Sequence, residues 1–344
     1  SRHVVAEALV ARHPDLKVLP VLVEHGEKNA PFDIKLVSSR VDGGVGTVTF
    51  QRPDAMNALN EAVMRQLEEN FAKLESDANV KGIVIEGKGK AFVAGADTKF
   101  FVERIQANDV PRIVKFASEG QRILKRIDEC KKPVVCKLHG LSLGGGSELA
   151  LACDFIVASS KGSLGFPETG IGIYPGLGGT QRSARRVGVP LARWLVLTGE
   201  TVDAKTAKAM RLVDDVVDVA ELDAACRKRA LAGQTRAGDV QPPAKAPAGF
   251  EQAWQVFTWT SAFDLLKATA TVDDEKLRKS VKKASFKAPL ALFTADELVK
   301  LAATSSLADG LAAETAGLRR IFSSKDALEG LSSVGVRRPV FKGA

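Results

Sequence analysis

The chain has 344 residues, 45% of them hydrophobic and 26% charged, which are the proportions of a soluble globular protein with room for one large domain or two small ones. No apolar run approaches the roughly 20 residues that a membrane-spanning helix needs. The net charge is +8, from 49 Lys and Arg against 41 Asp and Glu; a basic excess suits a polyanionic ligand, while a single Tyr and no stacking motif speak against nucleic acid.

Cys130, Cys136, Cys153 and Cys226 show no C-x-x-C spacing, so reduced thiols and a cytoplasmic setting are expected. His3, His13, His25 and His139 are scattered, and no metal site is expected. No secretory leader is expected either: LKVLPVLV is short and follows HPD rather than a basic start.

AEALVARHPDL near the start reads as a helix ended at His13-Pro14, followed by a short apolar piece and the polar turn HGEKNAP. Residues 34–51 alternate as strands, with VDGG (41–44) as their turn. Asn60 is placed to cap the following helix, with Met64, Leu67 and Phe71 on one face. GIVIEG (82–87) reads as a buried strand and AFVAGAD (91–97) as a loop of small residues. Phe101 to Ile127 reads as mostly helix, and Val134 to Leu138, behind Pro133, as a short β-branched strand.

Beyond the glycines at 144–146, SELALA favours helix from Ser147. A strand is expected from Asp154 to Ser159, helices over 178–187, 191–197 and 204–210, and strand character in LVDDVVD (212–218). Strand-strand-helix repetition with apolar strands predicts a stacked α/β core. GDVQPPAKAPAGF (238–250), with three prolines, reads as an exposed connection ahead of the amphipathic AWQVFTWTSAFDLLKA. KLRKSVKKASFK (276–287) holds much of the basic excess, either as a solvated helix face or as an attraction for an acidic ligand, and helices are expected over 289–331.

Two stretches carry the chemistry: KPVVCKLHGLSLGGGSELALACD (132–154) and LGFPETGIGIYPGLGGTQR (164–182). Each holds one glutamate, Glu148 or Glu168, in an apolar, glycine-rich setting. In the first, strand, glycine turn and helix start succeed one another. Such a turn aims free peptide N–H groups and the positive end of a helix dipole at one spot, which suits an anion or an oxygen that becomes one. It is not a nucleotide loop: GLSLGGG breaks the G-x-G-x-x-G spacing, and GKGK (87–90) lacks the first glycine and the Ser/Thr of a triphosphate loop. A solvated position is the bland alternative for either glutamate taken singly.

Residues 132–182 resemble the signature region of the crotonase (enoyl-CoA hydratase/isomerase) superfamily. FQRPDAMNALN (50–60) and GKAFVAGADTKFF (89–101) are similar to its two other landmarks, and RRPVFKGA (337–344) to its C-terminal end. The resemblance is strong over about 35–235 and weaker over 280–344. It implies an α/β fold of the ClpP/crotonase type, a spiral core of ββα repeats with a C-terminal α-helical region. The implied segments are an N-terminal extension (1–33), a crotonase-like core (34–235), a linker with an inserted helical segment (236–275) and a C-terminal helical region (276–344). The extension is faintly similar to the tail of a 3-hydroxyacyl-CoA dehydrogenase, which implies a possible fusion or association with such an enzyme.

The activity implied is enoyl-CoA hydration, the reversible syn addition of water to a 2-enoyl-CoA, with Glu148 and Glu168 as acid and base. The family keeps a glutamate at both positions in its hydratases. The resemblance assigns the oxyanion hole to the N–H groups of Ala96 and Gly145, and a place beside the water to Gly176, which is also explicable as a helix-start turn. Coenzyme A contacts are implied for Ala96, Asp97, Thr98, Lys99, Phe341 and Lys342. Asp97 reads equally as a loop brace, Lys99 as a surface lysine and Arg182 as a brace for the second loop. His139 is set aside, and Cys153 reads as a packed small residue. No cofactor is implied beyond the CoA thioester substrate, and a homotrimer or hexamer is expected, with C-terminal helices completing a neighbouring site. A Δ3,Δ2-enoyl-CoA isomerase or other crotonase-type lyase is the nearest alternative, and a CoA- or RNA-binding relative without activity is the alternative of another class.

Overall fold

The computed structural model describes residues 35–236 and 242–343. The reading of residues 1–33 therefore lies outside the described residues. Ten strands are described: β1 Val37–Asp42, β2 Val45–Phe50, β3 Gly82–Gly87, β4 Ala91–Ala94, β5 Val134–Leu138, β6 Leu141–Leu143, β7 Phe155–Ser159, β8 Ser163–Gly165, β9 Thr201–Asp203 and β10 Asp215–Val217. They form a six-stranded sheet in the order β1-β2-β3-β5-β7-β10 and a four-stranded sheet in the order β4-β6-β8-β9. All neighbours are parallel except the hairpin β1/β2 and the pair β8/β9.

The chain repeats one unit. β3 joins the large sheet, β4 the small sheet, and helices follow; β5, β6 and the helix Gly145–Ala152 repeat this, as do β7, β8 and the helix Gly179–Val187. This is the expected ββα repetition. In the single two-residue turn of the hairpin, Gly43 and Gly44 sit at φ +52° and +80°, a conformation that glycine reaches without strain. Asn60 caps the helix Glu61–Ser76, its side chain accepting from Val63 N, and Met64, Leu67 and Phe71 are buried on one face.

Three readings need correction. AFVAGAD is not all loop: its first four residues are β4, paired with β6, and the loop begins at Gly95. The helix expected over 101–127 is two, Thr98–Gln106 and Val110–Asp128, broken where Asn108 takes a left-handed φ of +54°. The helix expected from Ser147 begins two residues earlier, at Gly145, directly after Gly144 at φ +51°.

Of the proline-rich stretch, residues 242–250 are mostly exposed, as expected. The aromatic segment behind it folds into helices Glu251–Trp259 and Ala262–Lys267 and enters the core, with Phe257 and Leu265 fully buried. Buried Arg193 ties it down, donating to Thr260 O at 2.9 Å, to Phe257 O and to Asp296 Oδ1 at 2.6 Å. The C-terminal helices Pro289–Leu301, Leu307–Phe322 and Lys325–Ser333 fold back over the same chain's core, where Phe322 stacks on Phe101 at 5.1 Å. Leu318, Phe322 and Leu331 of these helices line a cavity of this same chain.

Candidate active site

Parallel pairing brings the two glutamates together. β6 and β8 run side by side, Leu143 opposite Gly165, so the segments that follow them leave from one edge of the small sheet. After β6 comes Gly144 and then the helix Gly145–Ala152 with Glu148 in its first turn; after β8 comes Phe166-Pro167 and the short 3-10 turn Glu168–Ile171. Gly144 adopts φ +51°, ψ −123°, and a Cβ on it would lie 2.6 Å from Glu168 Oε1. Only glycine allows that approach.

Both carboxyls face a cavity of about 310 Å³. Ala96, Thr98, Gly145 and Gly176 line it as well, and its walls are apolar, formed by Phe101, Phe116, Ile173, Leu177, Leu318 and Phe322 among others. Two peptide N–H groups border it with no acceptor from regular structure. Gly145 is the first residue of its helix, where N–H groups have no partner within the helix. Leu59 uses Gly95 O and Asp97 N, which leaves the N–H of Ala96 on the opposite side of the chain from Leu59.

Glu148 is 2% exposed, and its Oε1 accepts from Leu177 N and Gly179 N, each at 2.7 Å. Burial pushes its pKa up to about 7, against the pull of those two N–H groups and of Arg182. Its other oxygen faces Gly145, whose Cβ position is 4.0 Å away. Glu168 is 6% exposed, and its buried Oε2 has no hydrogen-bond partner. Burial, then the charge of Glu148, hold its pKa well above the ordinary value. Two buried carboxyls on one cavity thus differ in support: the first is held by donors suited to its ionised form, while Oε2 of the second has none.

The remaining sequence-derived residues lie off the cavity wall. Asp97 caps the helix Thr98–Gln106, accepting from Lys99 N at 3.3 Å, and pairs with Arg52 at 2.9 Å, which is a bracing geometry. Lys99 is exposed. Phe341 packs half-buried against the core, and Lys342 N donates to Asp326 Oδ1 at 2.8 Å, so the tail is pinned to the helix Lys325–Ser333. Arg182 braces the second loop through Leu177 O at 3.2 Å and Asp128 at 3.1 Å. His139 reaches Gly89 O at 3.0 Å, and Cys153 is buried.

Sequence reasoning missed a third buried carboxyl, Glu314 in the helix Leu307–Phe322, and the Tyr174 hydroxyl that donates to its backbone oxygen at 2.6 Å. The signal was available. Leu311, Glu314, Leu318 and Ile321 follow helical spacing, and one glutamate sits among apolar partners on that face.

Raised carboxyl pKa values have a thermodynamic consequence. Between the ordinary 4.5 and about 7, native Glu148 keeps a proton that the unfolded chain has lost; Glu314, at about 8, extends the window upward, and the raised Glu168 acts in the same direction. Stability from this source is complete below pH 4.5 and is lost as pH rises through the native values. The melting temperature of the ligand-free protein is expected to fall by at least about 2 °C between pH 5.5 and 8.5, and to fall less in Glu148→Gln. Scanning calorimetry checks this; equal slopes in the two proteins would contradict it.

A family model described as enoyl-CoA hydratase/isomerase matches residues 40–237. The chain is 38% identical over 182 residues to a short-chain-enoyl-CoA hydratase of Clostridium acetobutylicum, covering 53% of this chain and 68% of that protein. It is 40% identical over 174 residues to a crotonyl-CoA hydratase of Syntrophomonas wolfei, covering 50% of this chain and 65% of that protein. The chain thus spans about two thirds of the length of these curated relatives. A solved carnitinyl-CoA dehydratase from Mycobacterium thermoresistibile superposes with a TM-score of 0.78 at 26% identity, over 89% of this chain and 91% of that one.

Proposed function

Because the chain belongs to the enoyl-CoA hydratase/isomerase family, the crotonases, we propose that it is an enoyl-CoA hydratase acting on an apolar acyl-CoA. The observation that carries this is the pair Glu148 and Glu168 on one apolar cavity, beside two peptide N–H groups free to hold an oxyanion.

In this reading the thioester oxygen sits on the N–H groups of Ala96 and Gly145, and a water lies between the carboxyls near Gly176. Glu148, whose ionised form two N–H donors support, takes a proton from the water as its oxygen bonds to Cβ. The π electrons pass through Cα onto the thioester oxygen. Glu168, without a donor on Oε2, carries the proton that Cα then receives on the same face. Removing one oxyanion donor in such sites costs about 3–4 kcal/mol of barrier. An isomerase needs only one carboxyl to move a proton between carbons, so the presence of two favours hydration.

The reading includes coenzyme A contacts along residues 96–99 and assembly into trimers or hexamers. The test is the absorbance of crotonyl-CoA at its enoyl-thioester band, read beside double-bond migration in a 3-enoyl-CoA and beside a nucleic-acid shift at physiological salt. Rapid loss of the enoyl band is expected. Faster migration than hydration would move the protein to the isomerases, and binding of CoA thioester without turnover would make it a binding relative.

A further inference from the structure

The turn from Leu177 to Thr180 hands its peptide N–H groups alternately to two buried carboxyls. Leu177 and Gly179 donate to Glu148. Gly178 donates to Glu314 Oε2 at 2.7 Å and Thr180 to Glu314 Oε1 at 3.2 Å, and the Thr180 hydroxyl donates to that same oxygen. Gln121 Nε2 adds a bond to Oε2 at 3.1 Å. Glu314 itself is fully buried, on a helix far along the chain from the two glutamates of the sequence signature.

Successive peptides in a tight turn cannot all aim at one acceptor. A carboxyl that takes the second and fourth N–H groups fixes the rotation in which the first and third meet another carboxyl. We infer that Glu314 is a positioning residue for the acid/base pair, holding the first turn of the helix Gly179–Val187 in the orientation that presents Leu177 and Gly179 N–H groups to Glu148. This rests on the reading of Glu148 as one of that pair. Gly176, one residue before the turn, is gripped from the same side, since Gln121 Nε2 also donates to Gly176 O at 3.0 Å.

The coupling is electrostatic as well as geometric. The charged or titratable groups facing Glu314 are Glu148, Glu168, Arg182 and Tyr174. Burial and then the Glu148 charge push Glu314 up to about 8, with the Thr180 hydroxyl, Gly178 N–H and Arg182 opposing. Glu148 ionises at about 7, while Glu314, at about 8, still holds its proton, so the ionised form of Glu148 depends on the Leu177 and Gly179 N–H groups that Glu314 orients, and misplacing them makes Glu148 harder to ionise.

The test compares wild type with Glu314→Gln in crotonyl-CoA hydration from pH 5 to 9. A kcat lower by about 10- to 100-fold is expected, the scale on which small misplacement acts, with KM changed by less than about threefold. The acid limb of the kcat profile is expected to move to higher pH, because the two N–H groups that favour ionised Glu148 are misplaced. Thr180→Val should lose kcat in the same direction and less, and Thr180→Ser should restore it, which keeps the test open if Glu314→Gln does not fold. An unmoved limb, or a loss confined to KM, overturns the inference.

A substrate-free arm separates this from the proposed function. Melting temperatures of Glu148→Gln, Glu314→Gln and the double variant between pH 5.5 and 8.5 should be non-additive. Additive pH slopes overturn the positioning role. Failure of wild type to hydrate crotonyl-CoA with non-additive slopes overturns the hydratase reading and leaves the coupling in place.

Discussion

Glu148→Gln and Glu168→Gln are each expected to lower hydration of crotonyl-CoA by about 10²–10⁴-fold, the usual loss when a positioned acid or base is removed. Glutamine at 148 keeps an oxygen for Leu177 N and Gly179 N, both at 2.7 Å from Oε1, so the loop is retained while proton transfer is not. Glutamine at 168 fills the same space beside Gly144. Both variants should still bind a CoA thioester, which calorimetry with a non-reacting analogue reads directly. The double variant should lose less than the product of the two single losses, because in the proposed mechanism the carboxyls work on one water. Near-normal hydration by Glu148→Gln would mean that the two-carboxylate mechanism is wrong. Loss in only one variant, with double-bond migration intact in the other, would favour an isomerase.

Gly146→Ala is expected to cost more than about 3 kcal/mol of stability, the range of mutations that force backbone apart. A Cβ at Gly146 would overlap the carbonyl oxygen of Val93 and lie 2.8 Å from its Cβ. Val93 belongs to β4, which leads to Ala96, and Gly146 belongs to the helix that carries Glu148. Relief therefore means separating one proposed oxyanion donor, Ala96 N–H, from the other, Gly145 N–H, and from Glu148. Gly233→Ala is the control: its φ is +71°, but nothing lies within 4 Å, so only backbone strain of about 1 kcal/mol is added. Chemical denaturation of the two variants checks the difference. Equal stability would show that helix and strand can part without consequence.

What the sequence made legible is concentrated where local chemistry is unusual. Three consecutive glycines before a helix-forming run marked Glu148, and FPETG marked Glu168, because a carboxyl amid glycines and apolar residues has no ordinary surface explanation. The Gly43–Gly44 turn and the Asn60 cap were readable because they depend on near neighbours. β6, β8 and β9 were not, since three residues are too few to display an alternation. The β4 strand was hidden by small residues that suit a loop equally well. Helical spacing marked Glu314 as buried but not what it binds: its hydrogen-bond partners at 178 and 180 lie 136 and 134 residues earlier, so nothing beside it in the chain hints at them.

Those same separations bear on the order of events during synthesis. Glu148, Glu168 and the Leu177–Thr180 turn leave the ribosome together, while the carboxyl that takes Gly178 N and the side chains of Leu318 and Phe322 on the cavity wall come 134 residues or more behind the turn's last member. A nascent chain that stops before the helix Leu307–Phe322 holds both signature glutamates and yet has an uncovered, apolar hollow in place of a site. A complete site therefore waits for the helix Leu307–Phe322 to emerge, and the greasy hollow is what a chaperone would meet in the interval.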